Sequence, residues 1–256
     1  MKVGVFDSGI GGLTVVKSLL EHQLFEEIIY YGDTARVPYG IKDKNTIIRY
    51  GLEAVEFFKN FELDLIIVAC NTVSAYALTE MREVSSCPIY GVVEAGVLAC
   101  GNHVDDKNSN ILILGTKATI KSGTYENSLH NIGFNNLQTK ATSLFVPLVE
   151  EEIYDGAILK ETFKHYFKDI STPHAIILGC THFPLISNQL QNYFGQETKL
   201  IHSGDAIVEY LQSQFEFKEK FQKPKLKFFA SENPEALKKI ASKWLFSNKH
   251  IKRFIC

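Results

Sequence analysis

Ile66-Ile67-Val68-Ala69-Cys70-Asn71-Thr72 and Ile176-Ile177-Leu178-Gly179-Cys180-Thr181-His182 follow one plan: an apolar run, a small residue, a cysteine, then two hydrogen-bonding residues. Continuous apolar runs of this length suit strands covered on both faces, as in a parallel sheet flanked by helices. Apolar strands resemble one another by chance, so the strands alone carry little weight. Their surroundings match as well. Val3-Gly4-Val5-Phe6-Asp7-Ser8-Gly9 parallels Ile111-Leu112-Ile113-Leu114-Gly115-Thr116, and Cys70 follows Asp7 by 63 residues where Cys180 follows Thr116 by 64. The sequence reads as one α/β unit used twice.

Outward from these stretches the alternation continues. Lys2 to Phe6, Ile28 to Tyr31, Leu65 to Ala69, Ile89 to Val93, Ile111 to Leu114, Ala175 to Leu178 and Lys199 to His202 read as strands. Between them Leu13, Val16 and Leu20 recur at helical spacing, as do Ile48, Leu52 and Val55, then Val73, Ala77 and Met81. The expected architecture is parallel α/β. The polar stretch Asn102 to Asn110 reads as a connection between the two units, with a boundary near Val93. In the tail, Leu226 to Ala230 reads as a strand, Ser231 or Asn233 as an N-cap, Pro234 as the first helical residue and Glu235 to Phe246 as a helix.

The chain has 256 residues, about 1.7 times a typical domain. Hydrophobic residues make up 45% and charged ones 22%, so the chain folds rather than remaining disordered. With 27 Lys and Arg against 29 Asp and Glu, no basic footprint for nucleic acid or an anionic membrane exists, and neither is expected as a partner. The longest apolar run, Leu65 to Cys70, is far short of a membrane span. Asp7 lies too near Lys2 for a secretory apolar region, so a soluble cytoplasmic protein is expected. The five cysteines are odd in number with no C-x-x-C pair, which argues against disulfides or a zinc ribbon and for thiols.

Ligands of open parallel sheets bind beyond the carboxyl ends of the strands. There Asp7-Ser8-Gly9-Ile10-Gly11-Gly12 forms a Gly-rich turn suited to a small carboxylate, or a tight turn with no ligand. It matches neither a dinucleotide fingerprint nor a P-loop. The loop Asp33-Thr34-Ala35-Arg36-Val37-Pro38-Tyr39-Gly40 could meet a ligand through Gly40, while Asp33 is either a ligand or a turn residue. Thr116 and Thr119 follow the next strand, where threonines more often cap helices than bind ligands. Cys87, Cys100 and Cys256 read as small hydrophobes. Cys70 and Cys180, each between a strand and a helix start, sit where partial positive charge lowers a thiol pKa. Cys180-Thr181-His182 suggests a nucleophile with its base, but residues so close rarely face each other as a dyad. Two thiols from paired units, one on each side of a cleft, suit stereoinversion at carbon: one removes a proton and the other delivers one to the opposite face.

At these residues the chain resembles the glutamate racemases of the aspartate/glutamate racemase superfamily. The resemblance runs through Phe6 to Gly12, Val37 to Gly40, Ala69 to Thr72, Gly115 to Thr119, Pro147 to Glu150 and Leu178 to Leu185, covering essentially the whole chain. It implies an α/β fold of two similar domains with mainly parallel sheets flanked by helices, related by a pseudo-two-fold, with the active site in the interdomain cleft. The first domain would comprise residues 1–93 plus 206–256 and the second 94–205. By position, Cys70 would deprotonate D-glutamate and Cys180 L-glutamate. Asp7 and His182 would support the two thiols, and Glu150 would assist His182. Asp7, Ser8, Tyr39, Gly40, Asn71, Thr72, Thr116, Thr119, Thr181 and His182 would bind substrate, with Asp7 facing its ammonium group. The resemblance further implies no cofactor and no metal, a homodimer, and D-glutamate supply for peptidoglycan. Activation by a cell-wall precursor, seen in relatives with an N-terminal extension, is not expected. Other expectations remain open: a racemase acting on aspartate or a related acid, a non-catalytic binding module for a small acid, and a cysteine hydrolase.

Overall fold

The apolar runs form two parallel sheets in the computed structural model, which describes residues 1–246. The first holds β1 (Lys2–Asp7), β2 (Glu27–Gly32), β3 (Leu65–Val68) and β4 (Ile89–Gly91). The second holds β5 (Ile111–Gly115), β6 (Leu137–Ala141), β7 (Ala175–Gly179) and β8 (Lys199–His202), after which β9 (Lys225–Ala230) pairs with β2 in the first. The strand orders are β4-β3-β1-β2-β9 and β6-β5-β7-β8, with every neighbouring pair parallel. Without β9 the two orders are the same. Each sheet reverses direction once, between β1 and β3 and between β5 and β7, and such a switch point opens a crevice at the strands' carboxyl ends. Cys70 lies two residues beyond β3 and Cys180 one beyond β7. Topology therefore delivers both thiols to equivalent crevices.

Helices fill three layers. Those between strands are α1 (Leu13–His22), α2 (Lys44–Phe58), α3 (Asn71–Tyr76), α4 (Leu78–Val84), α5 (Val92–His103), α6 (Lys117–Lys121) and α7 (Thr124–Asn131). They are followed by α8 (Phe145–Glu150), α9 (Ala157–Phe167), α10 (Ser187–Phe194), α11 (Ser203–Gln214) and α12 (Pro234–Phe246). α2 to α4 cover the outer face of the first sheet, and α8 to α10 that of the second. α1, α5, α7, α11 and α12 cover the facing sides, in one apolar cluster that draws Val3 and Val5 from β1 together with Ile111 and Ile113 from β5. No helix among the described residues is long and apolar enough to cross a membrane.

Two expectations are corrected. The strand anticipated over Ile89 to Val93 ends at Gly91, because Val92 and Val93 open α5. This helix is buried nearly all round, so its apolar residues show no amphipathic period and its start imitates a strand. The same helix claims Asn102 and His103 from the expected connection. β6 carries no apolar alternation and is formed as an edge strand by pairing with β5. In the tail Asn233, not Ser231, caps α12 through a bond from the Ala236 amide at 3.2 Å. Cys100 is buried in the central cluster and Cys87 packs half-buried against the outer one, while Cys256 lies outside the described residues.

Candidate active site

The two crevices face each other across one small cavity of about 40 Å³. From the first unit Ser8, Tyr39, Gly40, Cys70, Asn71 and Thr72 line it; from the second come Thr116, Glu150, Cys180, Thr181 and His182. Asp7 and Thr119 stand behind this lining, 0% and 2% exposed. A larger open cavity of about 780 Å³ lies between α5, α10, α11 and β8, but neither thiol borders it. The chemistry belongs to the smaller space.

Cys70 occupies the N-cap position of α3, and its thiol donates to Ser8 Oγ at 3.4 Å. Burial pushes this thiol up to about 12, with the Asp7 carboxylate adding to the rise and Ser8 opposing it. The lowering expected at a helix start is thus overturned: α3 is a six-residue helix, and desolvation of a buried thiolate outweighs its few free amides. Cys180 is 6% exposed, and its Sγ stands 3.8 Å from His182 Nδ1. Proximity in sequence was expected to keep these two apart. Instead the chain turns after β7 into a 3-10 helix, Phe183–Ile186, with His182 at its cap, which folds the ring back onto the thiol. His182 Nε2 meets Glu150 Oε1 at 3.1 Å, from the last turn of α8. Burial opposes the histidine's charge, but the thiol and the carboxylate on either side outweigh it and raise its pKa to about 10. The shift favours the imidazolium form, with Nδ1 toward Cys180 and Nε2 toward Glu150.

Asp7 joins the units from behind. Its Oδ2 accepts from the Gly9 amide at 3.0 Å and its Oδ1 from the Thr181 hydroxyl at 3.3 Å. Burial raises its pKa, opposed by the His182 charge. The Gly-rich turn after it serves the protein itself. A Cβ on Gly11 would stand 2.3 Å from Thr181 Oγ1 and 2.6 Å from His182 Nδ1, so its bare backbone makes room for the second unit's loop. Gly40 does the same for Thr116, 2.5 Å from where its Cβ would be. Thr116 both caps α6, accepting from the Thr119 amide at 3.2 Å, and reaches Thr72 across the cleft at 3.0 Å. Thr119 completes a triangle of hydroxyls, 3.1 Å from Thr72 and 3.0 Å from Thr116.

Asp33 emerges as an anchor rather than a ligand. Fully buried, it accepts from the Tyr39 hydroxyl, from Arg36 Nε at 2.6 Å and from Ser231 Oγ at 2.7 Å, which fixes Tyr39 at the cavity wall. Two residues absent from the sequence reading, Tyr125 and Ser203, bind the Asn71 side chain from the second unit. A lone buried tyrosine and serine carry no local signal that could have found them. Among the described residues, no cluster of three or more His, Cys, Asp or Glu is placed to hold a metal ion.

Paired thiols at paired switch points, enclosed by hydroxyls and amides, define the class: the chain belongs to the Asp/Glu/Hydantoin racemase family, whose model matches residues 13–211. The relatives at higher identity are narrower in kind. The glutamate racemase of Nitratiruptor sp. is 62% identical over 245 residues, covering 96% of each chain. The crystal structure of glutamate racemase from Campylobacter jejuni superposes with a TM-score of 0.95 at 55% identity, covering 97% of this chain and 100% of that one. That of glutamate racemase from Francisella tularensis, in complex with D-glutamate, superposes at 0.84 with 31% identity, covering 100% and 97%.

Proposed function

We propose that this chain interconverts L-glutamate and D-glutamate by two-base proton transfer. The observation that carries the reading is the convergence of Cys70 and Cys180, from equivalent positions of two units, on one cavity. The α-proton of an amino acid is weakly acidic, so the lining donors must stabilise the carbanion as it forms. In the L-to-D direction Cys180 as thiolate takes the α-proton, and the C–H electron pair moves toward the α-carboxylate. Cys70 as thiol then gives its proton to the opposite face. The return reaction uses the same groups with their protonation exchanged. Burial favours the thiol form of Cys70, the one needed in the L-to-D direction, and disfavours the thiolate needed in the return. Ser8, Tyr39, Gly40, Asn71, Thr72, Thr116, Thr181 and His182 are the substrate-binding set in this reading. Asp7, Thr119 and Glu150 act through them: Asp7 through Thr181, Thr119 through Thr72, and Glu150 through His182.

The same reading divides the molecule into residues 1–93 with 206–256 and residues 94–205, and has a cytoplasmic homodimer supplying D-glutamate for peptidoglycan without cofactor or metal. The repeated strand order supports two units, and the family match supports the racemase reading.

The test is incubation in deuterated water without pyridoxal phosphate or added metal. Wild-type protein racemises glutamate faster than aspartate, while Cys70→Ser and Cys180→Ser show opposite enantiomer preferences in α-hydrogen exchange. Equal loss with both enantiomers sinks the two-base assignment, and aspartate as the better substrate sinks the substrate assignment. An acyl-enzyme trapped on Cys180 alone would favour a hydrolase, for which the Cys180–His182–Glu150 chain has the connectivity.

A further inference from the structure

A buried chain of hydrogen bonds links Asn71, beside Cys70 at the cavity wall, to the strand that carries Cys180. Tyr125, on α7 of the second unit, donates its hydroxyl to Asn71 Oδ1 at 2.7 Å. Asn71 is the residue after Cys70, and its Nδ2 donates to Ser203 Oγ at 3.1 Å. Ser203, the first residue of α11, donates in turn to the Leu178 carbonyl at 3.3 Å, two residues before Cys180 on β7. Tyr125 and Ser203 are each 3% exposed and Asn71 is 2% exposed. Each side chain in the chain donates one hydrogen bond to the next member.

From this connectivity we infer that Tyr125 and Ser203 are positioning residues that set the separation of Cys70 from Cys180 by clamping Asn71 between the two units. The inference rests on the two-base reading above. Asn71 has its Oδ1 and one Nδ2 proton committed to the clamp, so its contribution to the cavity is made through the remaining proton and the backbone. Tyr125 is held in turn by close packing. A Cβ on Gly96 would stand 3.1 Å from its hydroxyl oxygen, and one on Gly179 would stand 3.3 Å from its ring. Gly179 immediately precedes Cys180, so the ring that holds Asn71 also rests on the other thiol's strand. Proton delivery to opposite faces of one carbon tolerates little error in such a gap, since a displacement of 1 Å can cost about 100-fold in rate.

Tyr125→Phe keeps the ring and removes the bond. It is expected to lower kcat about 10- to 100-fold in both directions with KM within about twofold, the pattern of lost transition-state alignment. Because racemisation has an equilibrium constant of one, kcat/KM must fall equally for both enantiomers. The distinguishing signature lies elsewhere: the α-deuterium isotope effect rises more for D-glutamate, whose proton goes to Cys70 beside the freed Asn71, than for L-glutamate. Ser203→Ala, at the other end of the clamp, should lower kcat in the same way, and the double variant should lose less than the product of the two single losses. Melting temperature and circular dichroism of each variant report folding separately. Folded variants with unchanged kcat and isotope effects overturn the clamp. Failure of the opposite exchange preferences in Cys70→Ser and Cys180→Ser, with the kcat losses intact, overturns the two-base reading instead.

Discussion

His182 is flanked by a thiol at 3.8 Å and a carboxylate at 3.1 Å, and the protonation state of the site turns on it. With its pKa raised to about 10, its contribution to stability is complete below about 6.5, the ordinary value, and is lost as pH rises through about 10. Melting temperature should therefore decline across that window, and the alkaline limb of kcat should follow the same titration. Glu150→Gln keeps a hydrogen-bond acceptor but removes the charge, so the alkaline limb should move toward neutral pH while KM changes little. An unmoved limb would separate Glu150 from the histidine's charge. At this scale the sequence was legible where chemistry is local: a cysteine after an apolar strand, repeated at equal spacing, marks Cys70 and Cys180. It was illegible where a side chain acts from far along the chain. Asp33 is joined to Ser231, and Tyr125 to Asn71, by the fold alone.

Among the elements, those set by local pattern were readable and those set by neighbours were not. β1, β3, β7 and β8 lie where their apolar runs fall, give or take one residue. α2 forms where its spacing says, but Ile47, Tyr50, Ala54 and Phe58 are buried, with Ile48 and Leu52 only half-buried. Aromatic volume chose the face: Tyr50 packs on Tyr39 at 5.1 Å and beneath the Arg36 guanidinium at 4.0 Å. The glycine-rich loop joining β1 to α1 suits an anion site, yet its Gly11 makes room for Thr181 and His182. Gly11→Ala thus forces those two residues away from Asp7 and Cys180. Overpacking of this kind costs about 1–3 kcal/mol, and a displaced His182 should cost activity out of proportion to it. Thermal melts with kinetics on the same preparation test this, and activity falling no faster than stability would mean that the loop yields without moving the site. Asp33→Ala, in the next loop, leaves the buried Tyr39 hydroxyl without its acceptor and Arg36 with Glu53 as its remaining carboxylate, and should destabilise by about 1–3 kcal/mol, read by urea denaturation.

For the whole molecule, duplication was legible and its consequence for cohesion was not. Two units with the same strand order suggest two bodies that melt separately. The burial pattern joins them: α5 and α11 lie between the sheets, and one apolar cluster takes side chains from β1, β5 and β7 alike. α11 packs on both α5 and α1, so the cluster they share spans the two units. A cavity made in the central layer should weaken both units together. Leu211→Ala in α11, fully buried there, is expected to cost about 2–5 kcal/mol and to lower a single calorimetric transition without splitting it. Leu190→Ala in α10 makes its cavity in the outer cluster of the second unit alone. If the shared core couples the units, that variant too melts in one transition whose calorimetric and van't Hoff enthalpies agree. If the units are separable, Leu190→Ala splits the transition, its lower peak carrying the second sheet and its upper peak the first.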